Sequence, residues 1–320
     1  MDQNQIEAIV QAVLAELKKK ESSQPASYTA APTVAASTDS APVSAKTQSL
    51  IIDLPDPTTP EFRNAVGVEN PMDMEGLLNL KSTTPARIGA GRAGPRPRTK
   101  SWLLFQADHG VTQDAIYGEV KQEILDQFGL FTVQTQVKDK AEYLLRPDLG
   151  RKLTPEAKML IDQKCVKKPQ VQIVVGDGLS AAAINNNLPQ IFPVIKQGLE
   201  ASNISMGTPF FIKFARVGVI NDVNTVIGAD VVVILIGERP GLGVADAMSA
   251  YMGWRPGPGK TDAQRDVICM ITNNGGLNPL EAGAFVVELI KKILKYQASG
   301  VELKLKTSEE ITDHPPSDVL

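Results

Sequence analysis

Apolar positions recur along this chain with two different periods. In the first 20 residues, MDQNQIEAIVQAVLAELKKK, Ile6, Ile9, Val10, Val13, Leu14 and Leu17 fall three and four apart and build one face of an amphipathic helix. Three lysines close it, where the helix dipole is negative. From Ser22 to Ser49 the pattern vanishes into Ser, Ala, Thr and Pro. Such a stretch buries too little apolar surface to offset its ordering entropy, so residues 21–59 are expected as a flexible linker. The leading helix is then either a disordered arm or a docking peptide for another surface.

Patterning resumes near Pro60. Helical spacing is expected over Pro71–Lys81, Ser101–Asp108 and Thr112–Val120, the last continuing toward Gln122–Gln127. Then short, almost wholly apolar runs alternate with helical ones. Val171–Val175, Pro209–Phe214, Val231–Ile236 and Asp266–Ile271 read as strands, with helices from Ala181 and over Pro279–Tyr296. Uniformly apolar strands between helices imply a parallel sheet covered on both faces. The expected fold is therefore α/β, a Rossmann-like parallel sheet flanked by helices over residues 60–305. Leu305 ends the pattern, and the polar residues 306–320 are expected as a disordered tail.

Composition narrows the classes. The net charge of -3 argues against bulk nucleic-acid binding, and no apolar run reaches the roughly 18 residues of a membrane span. The two cysteines, Cys165 and Cys269, are far apart and form no CxxC pair, and the two histidines, His109 and His314, leave little material for a His-rich metal site. The acidic start lacks the basic n-region of a secretory signal, so a reducing cytoplasm is the simplest compartment.

Three segments carry candidate chemistry. Gly89, Gly91 and Gly94 satisfy GxGxxG, but Pro95 and Pro97 follow at once and a helix cannot easily open across them. What remains is a proline-stiffened loop with Arg87, Arg92, Arg96 and Arg98, either a solvated basic loop or a cluster that grips a partner subunit or an anion. GDGLS, Gly176–Ser180, follows a strand and precedes a helix. Ser180 is a plausible N-cap, alone or beside an oxygen-rich ligand, and Asp177 is a candidate acceptor for amides or hydroxyls. The strand Val231–Ile236 delivers GERPGLG, Gly237–Gly243, to the same edge, where ligands of open parallel sheets bind. Glu238 and Arg239 bring both charge signs there, and glycines such as Gly241 allow close backbone approach. The loop FARVG, with Phe214, Arg216 and Val217, leaves the neighbouring strand at that edge and would complete the cleft. There is no P-loop, GxSxG, HExxH or cobalt-ligating DxHxxG, and His109 reads as a structural or interface residue. The chain reads as one that positions a cofactor while another chain supplies most of the chemistry.

In order, GVENP (67–71), GRAGPRPRT (91–99), ADH (107–109), RPDLGR (146–151), DGLS (177–180), GTPFF (207–211) and GERPGLG (237–243) resemble the small, or light, subunit family of ethanolamine ammonia-lyase over about residues 1–305. That resemblance implies conversion of ethanolamine to acetaldehyde and ammonia, with adenosylcobalamin as the radical source. It implies a barrel-shaped large subunit that holds substrate and a Rossmann-like small subunit that covers the corrinoid. Three family cofactor contacts match Val217, Glu238 and, one residue out of the family spacing, Cys269. Helix 1–20 is similar to the short peptides that direct cargo to the shell or core of a bacterial microcompartment. The competing expectations are a non-catalytic scaffold or cargo adaptor, and an independent nucleotide-dependent enzyme.

Overall fold

A computed structural model describes residues 64–84 and 86–313. The expected helix 1–20 and linker 21–59, and the last residues 314–320, lie outside the described residues.

Helix α1 (Met74–Ser82) starts where the Asp73 carboxylate accepts from the Gly76 N–H. The arginine loop follows as a two-residue antiparallel ribbon, Arg92–Ala93 on Arg96–Pro97, turning at Gly94. Helix α2 runs unbroken over Thr99–Tyr117. Two helices, Ser101–Asp108 and Thr112–Val120, were the expectation; a glycine such as Gly110 inside a helix costs only about 1 kcal/mol and does not force a break. Helix α3 (Gln122–Gln127) is separate, because Gly118 closes α2.

The main sheet has six strands: β1 (Phe131–Gln134), β2 (Val171–Gly176), β3 (Phe210–Lys213), β4 (Val231–Gly237), β5 (Met248–Trp254) and β6 (Arg265–Ile271). Between them lie α4 (Lys140–Leu145), α5 (Pro155–Lys164), α6 (Ala181–Ala201) and α7 (Val219–Ile227); α8 (Pro279–Tyr296) and α9 (Val301–Asp313) follow β6. The spatial order is β1-β3-β2-β4-β5-β6. The first four are mutually parallel, as the apolar runs require, but β5 is antiparallel to both β4 and β6. The sheet is therefore mostly parallel rather than wholly so. The correction arises because β4 and β5 are joined by a ten-residue loop, Glu238–Ala247, with no helix to carry the chain back across the sheet.

Every residue of β2 and β4 is buried, which explains their apolar character; the one polar side chain in them, Gln172, donates through Nε2 to Ile173 O and Thr208 O at 2.8 Å each. Residues alternate between two cores. Val171, Ile173, Val175, Val231, Val233 and Leu235 face α6 and α8, whereas Val174, Val232, Ile234 and Ile236 face α5 and α7. Burying each such side chain is worth about 1.5–3 kcal/mol. Helices α6 and α8 meet across glycine: a Cβ on Gly283 would lie 2.8 Å from Val194 Cβ, and one on Gly198 would lie 2.7 Å from Val287. Helix α9 corrects the expected tail, since it extends to Asp313; Leu303 is buried in the α6–α8 core and anchors it.

Candidate functional site

Strands β2, β3 and β4 end at one edge of the sheet, and the neighbours β2 and β3 are followed by helices on opposite faces, α6 in one core and α7 in the other. This is the switch in strand order at which open α/β sheets receive ligands. The turns there are packed on each other. Leu179 N–H donates to Gly237 O at 3.1 Å, a Cβ on Gly178 would meet Gly237 O at 2.1 Å, and one on Gly237 would meet Ser180 O at 2.1 Å. Gly178 also has φ +57. These two glycines serve an approach of backbone to backbone, not of backbone to ligand.

Asp177 and Ser180 are likewise turned inward. The Asp177 carboxylate is buried and accepts from Phe214 N–H at 2.8 Å and Ala215 N–H at 2.9 Å. Burial pushes its carboxyl above the ordinary value, against the pull of those N–H groups and the charge of Lys140. Ser180 Oγ accepts from Ala183 N–H at 3.2 Å as the N-cap of α6 and donates to Ala245 O at 2.7 Å. Both residues shape the edge from within.

The loop they support is rigid. Phe214 takes φ +59, a conformation a non-glycine residue holds only when its surroundings fix it. Thr135 Oγ1 donates to Phe214 O at 3.0 Å and Tyr143 Oη to Ala215 O at 2.8 Å. Arg216 Nη2 donates to Tyr143 O at 2.8 Å, and its guanidinium stacks 4.1 Å from the centre of that ring. Arg216 thus props the loop, while Val217, half-buried, packs on the core under α7.

On the α7 face, beyond that loop, the remaining candidates assemble into a shelf. Glu238, half-buried at the end of β4, anchors its N–H on Ala247 O at 2.9 Å, and its Oε1 accepts from Tyr251 Oη at 3.1 Å. Its Oε2 has no hydrogen-bond partner among the described residues. Burial, followed by the negative charge of Glu238, pushes the Tyr251 phenol up to about 12, so it is a donor at neutral pH. Cys269 is exposed on β6, close enough to Tyr251 for a thiolate to disfavour ionisation of the phenol. It lies at a break in register: Met248 pairs with Ile271 and Ala250 with Ile268, so β6 carries one extra residue, and Met270 takes φ +56. A bulge of this kind re-aims side chains. Val267 and Met270 are exposed beside it.

The sequence-expected residues therefore divide. Val217, Glu238 and Cys269 share one face with Tyr251. Asp177, Ser180, Phe214 and Arg216 hold that face in place. Arg239 and Gly241 are exposed on a loop that turns toward α2, where Gly241 O accepts from Thr112 Oγ1 at 3.2 Å and Leu242 O from Arg87 Nη2 at 2.6 Å. Tyr251 was missed, yet the alternation of Met248, Ala250 and Met252 with Ser249, Tyr251 and Gly253 is a strand signal that would have found it. The arginine loop splits too: Arg87 pairs with buried Asp108 and Arg98 with Glu69, leaving Arg92 and Arg96 exposed. Among the described residues no group of three or more His, Cys, Asp or Glu could hold a metal, and no helix is long and apolar enough to cross a membrane.

Fold and site together define an α/β protein that offers an open shelf beside the carboxyl edge of its sheet. The family model for "Ethanolamine ammonia-lyase light chain (EutC)" matches residues 74–304. The chain is 45% identical over 251 residues to the ethanolamine ammonia-lyase small subunit of Clostridium perfringens, covering 78% of this chain and 85% of that relative. It is 39% identical over 306 residues to the small subunit from Listeria monocytogenes serotype 4b, covering 95% of this chain and 100% of the relative. The chain belongs to the ethanolamine ammonia-lyase small-subunit family.

Proposed function

We propose that this chain is the small subunit of an adenosylcobalamin-dependent ethanolamine ammonia-lyase, a carbon–nitrogen lyase that converts ethanolamine to acetaldehyde and ammonia. In this reading its Rossmann-like sheet covers a corrinoid held against a large subunit that carries the substrate site. The observation that carries the reading is the shelf formed by Val217, Glu238, Tyr251 and Cys269. Its chemistry suits an amide-fringed macrocycle. Glu238 Oε2 is an acceptor with no partner among the described residues, and carboxylates form strong bonds with amide N–H groups. Tyr251 fixes the carboxylate through Oε1. Val217, Val267 and Met270 supply apolar surface for a ring. When bound, the cofactor supplies the radical chemistry. The residues of this chain bind, orient and exclude water: Asp177 and Arg216 keep the 214–217 loop rigid so that Val217 stays in place.

Residues 1–20 are proposed to direct the enzyme to a bacterial microcompartment in the cytoplasm, on the strength of their amphipathic sequence. Glu238→Ala, made in the chain co-produced with its large subunit, is expected to weaken adenosylcobalamin binding about tenfold, the loss of one charged hydrogen bond. Equilibrium dialysis measures it, with circular dichroism to establish folding. Unchanged affinity in a folded variant would remove Glu238 from the site.

A further inference from the structure

A cavity of about 310 Å³ opens beside the shelf. Gly218, which follows Val217, forms part of its wall, together with Arg151, Lys152, Asn221, Lys260, Asp262 and Arg265. Arg265 belongs to β6, two residues before Val267, the residue paired with Tyr251. The shelf and the cavity are thus neighbours.

Its charge is unbalanced. Of its two acids, Asp222 is already engaged by Lys158 Nζ at 2.8 Å and Leu153 N–H at 2.8 Å. Asp262 is spent on Arg265. Arg151, Lys152 and Lys260 carry charged heads that make no ion pair among the described residues. The Arg265 side chain is only 6% exposed, and its Nε is buried without a hydrogen-bond partner. Arg151 lies close enough to add repulsion to a guanidinium that burial already disfavours. Cations are gathered at a concave site against that repulsion where an anion completes it, and arginine forks match phosphate oxygens.

We propose that this cavity binds a phosphate group, held by Arg151 and Lys260 with Arg265 as the buried charge behind them. Two sources present that chemistry: the phosphodiester in the nucleotide tail of the corrinoid on the adjoining shelf, a source that rests on the function proposed above, and free phosphate. Inorganic phosphate, cyanocobalamin and cobinamide, a corrinoid without the phosphate, separate them. Each is titrated calorimetrically into the complex with the large subunit, wild type and R151A/K260A. Both substituted side chains are exposed, so the fold is retained.

The expected result is phosphate binding by the wild type, weakened about tenfold or more in the variant. A matching loss for cyanocobalamin, with cobinamide unchanged, assigns the phosphate to the cofactor tail. Phosphate binding lost with cyanocobalamin unchanged assigns it to free phosphate. If neither corrinoid binds but phosphate does, the cofactor reading fails and the cavity stands. No phosphate binding by the wild type, together with equal cyanocobalamin affinity in both proteins, overturns the proposal.

Discussion

Asp177 follows the last residue of β2 with its carboxylate buried. Its type and position suggest a ligand acceptor, but both carboxylate oxygens hold backbone N–H groups of the 214–217 loop. An amide can accept from only one of them and must turn its NH₂ toward the other. Asp177→Asn is therefore expected to cost about 1–3 kcal/mol, the penalty for a buried donor left unpaired, read from the denaturant midpoint at constant m-value. A midpoint equal to wild type would return Asp177 to the list of ligand contacts. The two cysteines give a second residue-scale outcome. Burial pushes the Cys165 thiol up to about 11, so its thiolate is scarce at any pH well below that and its thiol is covered as well. Cys269 is exposed. At pH 8 a thiol reagent is expected to modify one cysteine rapidly, and cofactor bound with the large subunit should protect it. Two equally fast thiols, or no protection, would contradict the placement of Cys269 on the shelf.

At the scale of elements, legibility followed burial. β2 and β4 were read within a residue or two because burial on both faces leaves Gln172 as the one polar side chain in them. α8 was read to its ends because Asn278 caps it, Pro279 opens it and its apolar face is continuous. β1, α4, α5, α7 and β5 were not read: α5, α7 and β5 do reach the two cores, through residues such as Ile161, Val223 and Met252, but polar or small residues interrupt the apolar pattern. Three of these had local signals: Thr154-Pro155 at the start of α5, Gly228, at φ +73, after α7, and the two-residue alternation along β5. The shelf was half legible. Glu238 and Val217 stand in conspicuous loops, whereas Tyr251 lies on an antiparallel strand that interrupts the alternation of strands and helices and is marked only by its own two-residue period. The α6–α8 contact supplies a test at this scale. Val194 stands 2.8 Å from where a Cβ on Gly283 would be, so Gly283→Leu has no space to enter. It is expected to lower stability by about 1–3 kcal/mol or more while leaving the shelf intact. Thermal melting with and without cofactor would measure it, and a stable variant would mean the two helices separate easily.

For the whole molecule, the separation of supporting residues from contacting ones fits a protein that supplies one wall of a site. The family assignment fixes the company it keeps: a small subunit implies a larger one. The purified chain, supplied with ethanolamine and adenosylcobalamin, is expected to release no acetaldehyde, and turnover is expected to appear only when the large subunit is added. A coupled aldehyde assay reads both, and activity in the lone chain would refute the proposed division of labour.

β6 is the last strand of its sheet, and its outer side is partly covered: Leu277 N–H donates to Met270 O and Gly300 N–H to the Asp266 carboxylate, at opposite ends. The stretch between them, with Val267 and Cys269 exposed, is an open template for strand addition by another copy of the chain. Polypeptide made in excess of its companion is therefore expected to join edge to edge there, and light scattering of the lone chain against the complex checks it. The yield of soluble chain is then expected to rise with the share of companion made alongside it.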